Sequence, residues 1–165
     1  MARPRNRNRN RQGAAKRPRF SGKLSDHFSR KDFLFIDENG KESCRVSLGL
    51  VGGLELLRSL AKNRVNIVRG YVTPEAAEKQ GNWKRNYHPL GLAADITIDN
   101  LSVREVFLLA EQVPEFKGIG LNLTDKYVHV DTRKQEAREV WVVEDGRRIE
   151  LTDATRRTYF ETEPA

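Results

Sequence analysis

The sequence predicts an α+β domain in which a mainly antiparallel sheet packs with a few helices. Strand and helix patterns follow one another without the regular βαβ spacing of a doubly wound sheet. Short alternating apolar segments bounded by turn residues indicate strands. Two longer segments, Leu48–Lys62 and Ser102–Val113, have apolar residues three or four positions apart and indicate helices. The 165 residues suffice for about one domain.

Turn and capping residues place the boundaries of these elements. Asp37–Gly40 indicates a turn between the first two strands, and Gly146 indicates the last turn. A threonine followed by Pro74 predicts a short helix, because threonine caps helices and proline favours their first position. Ser102 and Glu105 form a capping-box pattern. In chain order, the predicted strands are Asp32–Ile36, Glu42–Val46, Val65–Val68, Ala93–Ile98, Gly118–Leu121, Tyr127–Val130, Val140–Val143 and Arg148–Leu151.

Positive charge is concentrated in residues 1–23. The chain has 30 basic and 23 acidic residues, and nine of the basic ones but no acidic one lie in this segment, so the rest is slightly acidic. The segment has little apolar surface to bury, which predicts disorder, and arginine is the preferred partner of phosphate. We expect an arm that binds nucleic acid or an anionic wall or membrane surface; a solubilising tail is the alternative. The residues expected to bind the polyanion are Arg3, Arg5, Arg7, Arg9, Arg11, Lys16, Arg17 and Arg19.

The predicted domain spans residues 24–152 and is followed by a polar C-terminal tail at 153–165. No apolar run approaches the roughly 18 residues that a membrane helix needs. Residues 1–23 lack the apolar segment of a secretory signal, which predicts a chain that is cytoplasmic at synthesis. Cys44 is the one cysteine, so the chain forms no internal disulfide.

Two of the three histidines lie in motifs that end in an aspartate. His88 precedes Asp95 by seven residues, and His129 lies on a predicted strand with Tyr127 and Asp131 on the same face. Two imidazole nitrogens and one carboxylate oxygen suit a catalytic zinc ion, which keeps its fourth position for water. The alternative for each histidine is a structural residue that only forms hydrogen bonds.

The motifs around these residues resemble those of the zinc D-Ala-D-Ala carboxypeptidase family. That family includes phage L-alanyl-D-glutamate endolysins and shares its fold with the Hedgehog signalling domain. Its pattern Ser-x-His-x-x-Gly-x-Ala-x-Asp corresponds to residues 86–95, and the later motifs correspond to Gly118–Gly120 and Val128–Asp131. Arg69–Glu75 is similar to the family's Ser-Gly-Tyr-Arg-Thr-Pro turn. The resemblance covers residues 24–140.

The resemblance implies a Hedgehog/DD-peptidase-like fold and Zn²⁺ held by His88, Asp95 and His129. It further implies a zinc metallopeptidase that hydrolyses peptidoglycan stem peptides with a metal-activated water. The bond could be that of a D,D- or L,D-type carboxypeptidase or endopeptidase. A phage-encoded enzyme released at lysis would reach the cell wall without a secretory signal.

Two departures from the family pattern concern substrate binding. Asn86 replaces the usual serine, and Val72 stands where an arginine often lies. We expect Arg69, or else Arg85, to hold the substrate carboxylate through a fork of hydrogen bonds. We also expect Tyr87 to line the cleft.

A third departure concerns the general base. Lys126 stands where many relatives have an acidic residue, three positions before the last histidine. Asp131 is the preferred base because it shares the predicted site face with His129, and Asp125 is the alternative. Asp131 could instead orient His129 as a partner of a metal ligand.

A second function stays open at this point. The domain could bind a metal without catalysis, in a structural protein whose basic arm binds nucleic acid. Lys126 favours this interpretation, whereas the complete set of three ligands favours the enzyme.

Overall fold

Strands form the centre of the structure, a computed structural model that describes residues 22–81 and 85–161. The described residues form a mixed α+β fold with one six-stranded sheet, a two-stranded hairpin and four helices. The strands are β1 (Phe35–Ile36), β2 (Glu42–Ser43), β3 (Val65–Arg69), β4 (Ala93–Ile98), β5 (Gly118–Asn122), β6 (Tyr127–Asp131), β7 (Glu139–Glu144) and β8 (Arg147–Glu150).

The large sheet has the strand order β3-β4-β6-β5-β7-β8. All neighbouring strands are antiparallel except β5 and β7, which are parallel. β1 and β2 pair separately as the small hairpin. The prediction of an α+β domain with a mainly antiparallel sheet is therefore confirmed.

The helices are α1 (Leu48–Ala61), α2 (Pro74–Lys79), α3 (Val103–Ala110) and α4 (Asp153–Phe160). The predicted caps are present: the Thr73 hydroxyl accepts a hydrogen bond from the Ala76 amide, and Ser102 forms a capping box with Glu105. α1 keeps Gly53 in its interior because a β-carbon there would overlap the ring of Phe116. No helix in the described ranges is long and apolar enough to cross a membrane.

The two faces of the sheet have opposite character. Alternate residues of the central strands point into a core that is covered by α1 and α3, including Ile96, Ile119, Val128 and Val130. The other face carries polar side chains. Strand register aligns one residue from each of five strands across this face, in the order Arg69, Asp95, His129, Gly120 and Trp141.

Two predictions about the ends of the domain need correction. The predicted strand Asp32–Ile36 is a strand only at Phe35–Ile36, because Arg30–Phe33 forms a 3₁₀ turn that is capped by Ser29. The C-terminal segment is not a loose polar tail: Asp153–Phe160 is α4, and the Phe160 ring stacks on Phe107 with ring centroids 5.3 Å apart. The arm predicted for residues 1–23 lies outside the described residues, apart from Gly22 and Lys23.

Candidate metal centre

Three side chains that are distant in sequence meet on the polar face of the sheet. One potential ligand atom from each of His88, Asp95 and His129 lies within 4.8 Å of the others. Oδ1 of Asp95 lies 2.9 Å from Nδ1 of His129 and 3.4 Å from Nε2 of His88. His88 and Asp95 are buried, whereas the His129 side chain is 17 % exposed. Solvent therefore reaches the group beside His129.

His88 presents an unused nitrogen to this group. The residue begins a 3₁₀ turn, His88–Leu90, which ends at Gly91 in the left-handed region. Its Nδ1 lies 2.6 Å from the carbonyl oxygen of Gly70 and must donate, because a carbonyl oxygen only accepts. In the neutral ring Nε2 then carries the lone pair, and it is a buried nitrogen without a hydrogen-bond partner among the described residues. A metal ion or an ordered water can satisfy a buried lone pair of this kind.

Asp95 lies on β4, between the strands that carry Arg69 and His129. Nε of Arg69 donates to Oδ2 over 2.8 Å, and Nη2 forms an ion pair with the same oxygen at 2.8 Å, which leaves Oδ1 facing the histidines. Burial by itself raises the pKa of Asp95, but contacts with His129 and His88 outweigh it and hold the pKa well below its usual range. The carboxylate is therefore ionised, as a metal ligand must be.

His129 lies between two carboxylates. Its Nδ1 is 2.9 Å from Oδ1 of Asp95, and its Nε2 is 3.0 Å from Oδ2 of Asp131. Burial by itself lowers the pKa of His129, but Asp131 and Asp95 outweigh it and raise the pKa to about 9. If a metal ion takes the place of the Nδ1 proton, the Nε2–H still donates to Asp131. This is the outer partner that metal-binding histidines usually have.

Asp131 is held from several sides and is completely buried. Nε of Arg133 donates to Oδ1 over 2.8 Å, and Nη2 of Arg133 donates to Oδ2 over 2.6 Å. Burial raises the pKa of Asp131, but Arg133 and His129 outweigh it and lower the pKa to about 2. A carboxylate with both oxygens paired and no access to solvent is poorly suited to accept a proton from water. These contacts favour the orienting role of Asp131 over that of general base.

Glycine on β5 makes room for this arrangement. Gly118 lies opposite Asp131, and a β-carbon at this position would overlap the Asp131 carboxylate and the Arg133 guanidinium. Gly120 lies opposite His129, and a β-carbon there would overlap the indole of Trp141. The Gly118-Ile-Gly120 motif therefore lets large polar and aromatic side chains lie flat on this face.

The geometry fits a single small metal ion. Ligands that bind a tetrahedral ion at about 2.1 Å lie about 3.4 Å from one another. Oδ1 of Asp95 lies 2.9 and 3.4 Å from the two histidine nitrogens, and all three ligand atoms lie within 4.8 Å of one another. Each of the three side chains also has an outer partner that fixes its orientation: Gly70 for His88, Arg69 for Asp95 and Asp131 for His129. The group His88, Asp95 and His129 could therefore hold a metal ion.

The other predicted site residues lie in different environments. Arg69 is engaged with Asp95, so its first role is to hold a ligand. Tyr87 lies under Arg133, with the guanidinium carbon 4.3 Å from the ring centroid. Arg85 is exposed. Asp125 is exposed in the β5–β6 turn, where its Oδ2 accepts a hydrogen bond from the Asn122 side chain.

Three further residues belong to this face and were not singled out by the sequence analysis: Arg133, Trp141 and Arg148. The guanidinium carbon of Arg133 lies 4.3 Å from the Tyr87 ring centroid and 5.5 Å from that of Trp141, and the guanidinium carbon of Arg148 lies 3.9 Å from the Trp141 centroid. Alternation along the strand could have indicated Arg133, which follows Asp131 by two residues. No sequence signal relates Arg148 to His129, because sheet pairing brings both residues to the same Trp141 ring.

Comparisons with known proteins give no relative. No family model, no curated protein and no solved structure matches the chain.

Proposed function

We propose that this protein is a zinc-dependent peptidase whose metal ligands are His88, Asp95 and His129. The observation that carries the proposal is the buried Nε2 of His88, which lacks a hydrogen-bond partner within the described ranges and faces the Asp95 carboxylate. A purely structural histidine would use both ring nitrogens or expose one of them. Here one nitrogen is fixed by Gly70 and the other is left for a ligand.

The donor set favours zinc and a catalytic role. Imidazole nitrogens with one carboxylate oxygen are common zinc ligands, and three protein ligands leave one position for water or substrate. Zinc held by His88, Asp95 and His129 would supply a bound water with a pKa of about 7 and a Lewis acid for the scissile carbonyl group. The exposed side of His129 is where a substrate would approach.

The protein side chains divide the remaining work between orientation and proton transfer. Asp131, held by Arg133, fixes the His129 ring so that Nδ1 points to the metal position. Asp125 is the remaining candidate base, because it is exposed and one of its oxygens has no partner among the described residues. Burial raises the pKa of Tyr127, and the charges of Asp95 and Asp125 raise it further.

The substrate class rests on the motif resemblance. The Hedgehog/DD-peptidase-like order of motifs corresponds here to β3, β4, β5 and β6, and these strands are adjacent in the sheet. Peptidoglycan stem peptides are therefore the substrates to test, for both carboxypeptidase and endopeptidase cleavage.

Metal analysis of the purified protein tests the proposal. We expect roughly one zinc ion per chain in the wild type, as in three-ligand catalytic sites, and loss of zinc in His88→Ala and His129→Ala. His27→Ala is the matched control. His27 is the remaining histidine and pairs with Glu55 on the surface, so this variant should keep its zinc.

Hydrolysis is then measured on defined stem peptides by mass spectrometry. Wild type and His27→Ala should cleave, and the two zinc-free variants should not. Full retention of zinc in both His88→Ala and His129→Ala would refute the site. A zinc-loaded protein that cleaves no stem peptide would refute the peptidase assignment and leave the non-catalytic metal protein.

A further inference from the structure

A third arginine on the polar face of the sheet, Arg148, has most of its donors unused within the described ranges. Arg148 is on β8, at the edge of the sheet, and its guanidinium carbon lies 3.9 Å from the centroid of the Trp141 ring. The Trp141 ring in turn lies 5.5 Å from the ring of His129. Because both groups contact one indole, only the Trp141 ring separates Arg148 from His129 on the polar face of the sheet.

The hydrogen bonds of Arg148 leave donors free for a ligand. A guanidinium has five N–H donors, and Arg148 uses one of them within the part of the chain that the structure describes, from Nη2 to Glu139 over 3.2 Å. That carboxylate oxygen also accepts a shorter bond, of 2.7 Å, from Nη1 of Arg133. Two guanidinium groups therefore share one oxygen of Glu139.

The surrounding charge is positive. Arg133 is already engaged with Asp131, and Arg85 is exposed and contributes a further positive charge. Burial, together with the charges of Arg133 and Arg85, lowers the pKa of Arg148 in spite of Glu139. An added anion would relieve this repulsion.

Position and rigidity distinguish Arg148 from the other arginines. Arg69 has two nitrogens bound to Asp95, and Arg133 has three nitrogens bound to carboxylates. Arg148 is 38 % exposed, so its open donors face solvent, while stacking on the buried Trp141 restricts its side chain. A restricted guanidinium binds a carboxylate with a smaller entropic cost than a freely moving one.

We propose that Arg148 binds a carboxylate of the peptide substrate and makes the site selective for acidic peptides. This inference rests on the proposed function, since it assigns a substrate class to the same site. It adds a specificity residue from β8, which is outside the segment that carries the motif resemblance.

Peptide binding to the full-length protein tests the role of Arg148. The probes are the tetrapeptide L-Ala-γ-D-Glu-L-Lys-D-Ala and two derivatives, one amidated at the glutamate α-carboxyl group and one at the C-terminus. Calorimetry gives each Kd, and mass spectrometry of the recovered peptide reports cleavage. The wild type should bind the unmodified peptide at least about tenfold more tightly than one of the amides, as expected for hydrogen bonds to a charged group.

Arg148→Gln should remove this preference and leave binding of the amide unchanged. Arg147→Gln is the matched control: it removes the same charge one residue away, from a side chain on the opposite face of β8, and it should keep the preference. Arg148→Lys retains the charge without the fork and should keep part of the preference, which guards against a folding defect in Arg148→Gln.

Three outcomes overturn the proposal: no peptide binds, the wild type does not distinguish the peptides, or Arg148→Gln still does. Failure of the proposed function looks different. If the protein prefers the acidic peptide through Arg148 but holds no zinc and cleaves nothing, the carboxylate site is supported and the peptidase assignment fails. If the protein is a zinc-dependent peptidase but does not prefer the acidic peptide, the proposed function is supported and the proposed role of Arg148 fails.

Discussion

Nε2 of His129 lies 3.0 Å from Oδ2 of Asp131, a carboxylate that is completely buried. The same carboxylate accepts three hydrogen bonds from Arg133, one of them from the backbone amide, so both of its oxygens are occupied. The pair has the form of a metal-binding histidine and its orienting carboxylate. The sequence left two alternative roles open for Asp131, orientation of a metal ligand and proton transfer. These contacts favour orientation.

Asp131→Asn tests the orienting role. Removing the charge weakens the hydrogen bond to His129 and the pairing with Arg133, so we expect zinc affinity to fall about 10- to 100-fold, as for other outer partners of metal ligands. Competition with a chromophoric chelator measures the affinity. Unchanged zinc affinity combined with complete loss of turnover would instead assign the general base to Asp131.

Asp125→Asn tests proton transfer. The side chain is exposed and is not one of the ligand group, so the variant should keep its zinc content. If Asp125 is the general base, kcat for stem-peptide hydrolysis should fall by about 10²- to 10⁴-fold. Steady-state kinetics at saturating peptide, with zinc content measured on the same sample, separates this effect from metal loss. Retention of full activity would exclude the assignment.

Gly120→Ala tests the packing of Trp141 beside the metal centre. The added methyl group would overlap the indole, so we expect a loss of about 1–3 kcal/mol in the free energy of unfolding. Gly52→Ala is the control, because a β-carbon there meets nothing within 4 Å and alanine favours a helix interior by about 0.5–1 kcal/mol. Urea denaturation compares the two. Equal stability of both variants would show that Trp141 does not need Gly120.

Phe160→Ala tests whether α4 belongs to the domain. The Phe160 ring is half-buried and stacks on Phe107, while Arg156 of the same helix pairs with Glu111. Loss of the ring should lower the free energy of unfolding by about 1–2 kcal/mol, less than for a fully buried phenyl group. Arg157→Ala, in an exposed part of α4, should change it by less than about 0.5 kcal/mol. Equal stability of the two variants would show that α4 does not contribute to the folded domain.

Glu55 should contribute to the acid sensitivity of the fold. Burial by itself raises the pKa of Glu55, but hydrogen bonds from Ser25 and His27 outweigh it and hold the pKa below its usual value of 4.5. The carboxylate therefore stabilises the fold fully above pH 4.5, and this contribution is lost as the pH falls from 4.5 through the lower pKa of the folded state.

Urea unfolding at a series of pH values measures the contribution of Glu55. The stability difference between wild type and Glu55→Gln should shrink as the pH falls below about 4.5. Glu115→Gln is the control, an exposed glutamate without an ion pair within the described ranges. A difference that does not depend on pH would contradict the assignment.

Local patterns in the sequence predicted much of the sheet. Alternation of apolar and polar residues placed Tyr127, His129 and Asp131 on one face, and the structure confirms this because the rule depends only on the geometry of a strand. The caps at Thr73 and Ser102 were predictable for a similar reason, since each involves residues within one helical turn. The candidate ligands His88, Asp95 and His129 were likewise visible as residue types that suit zinc.

The sequence by itself therefore determined the α+β pattern, the faces of the strands and the three candidate ligands. Only the tertiary structure decided which groups surround those ligands: that Arg69 holds Asp95, that Arg133 buries Asp131, and that Arg148 reaches Trp141. It also decided that α4 packs on the core. The reason is that these contacts join residues through the pairing of separate strands and through burial. Neither the pairing of distant strands nor the burial of a side chain can be read from the spacing of neighbouring residues along the chain.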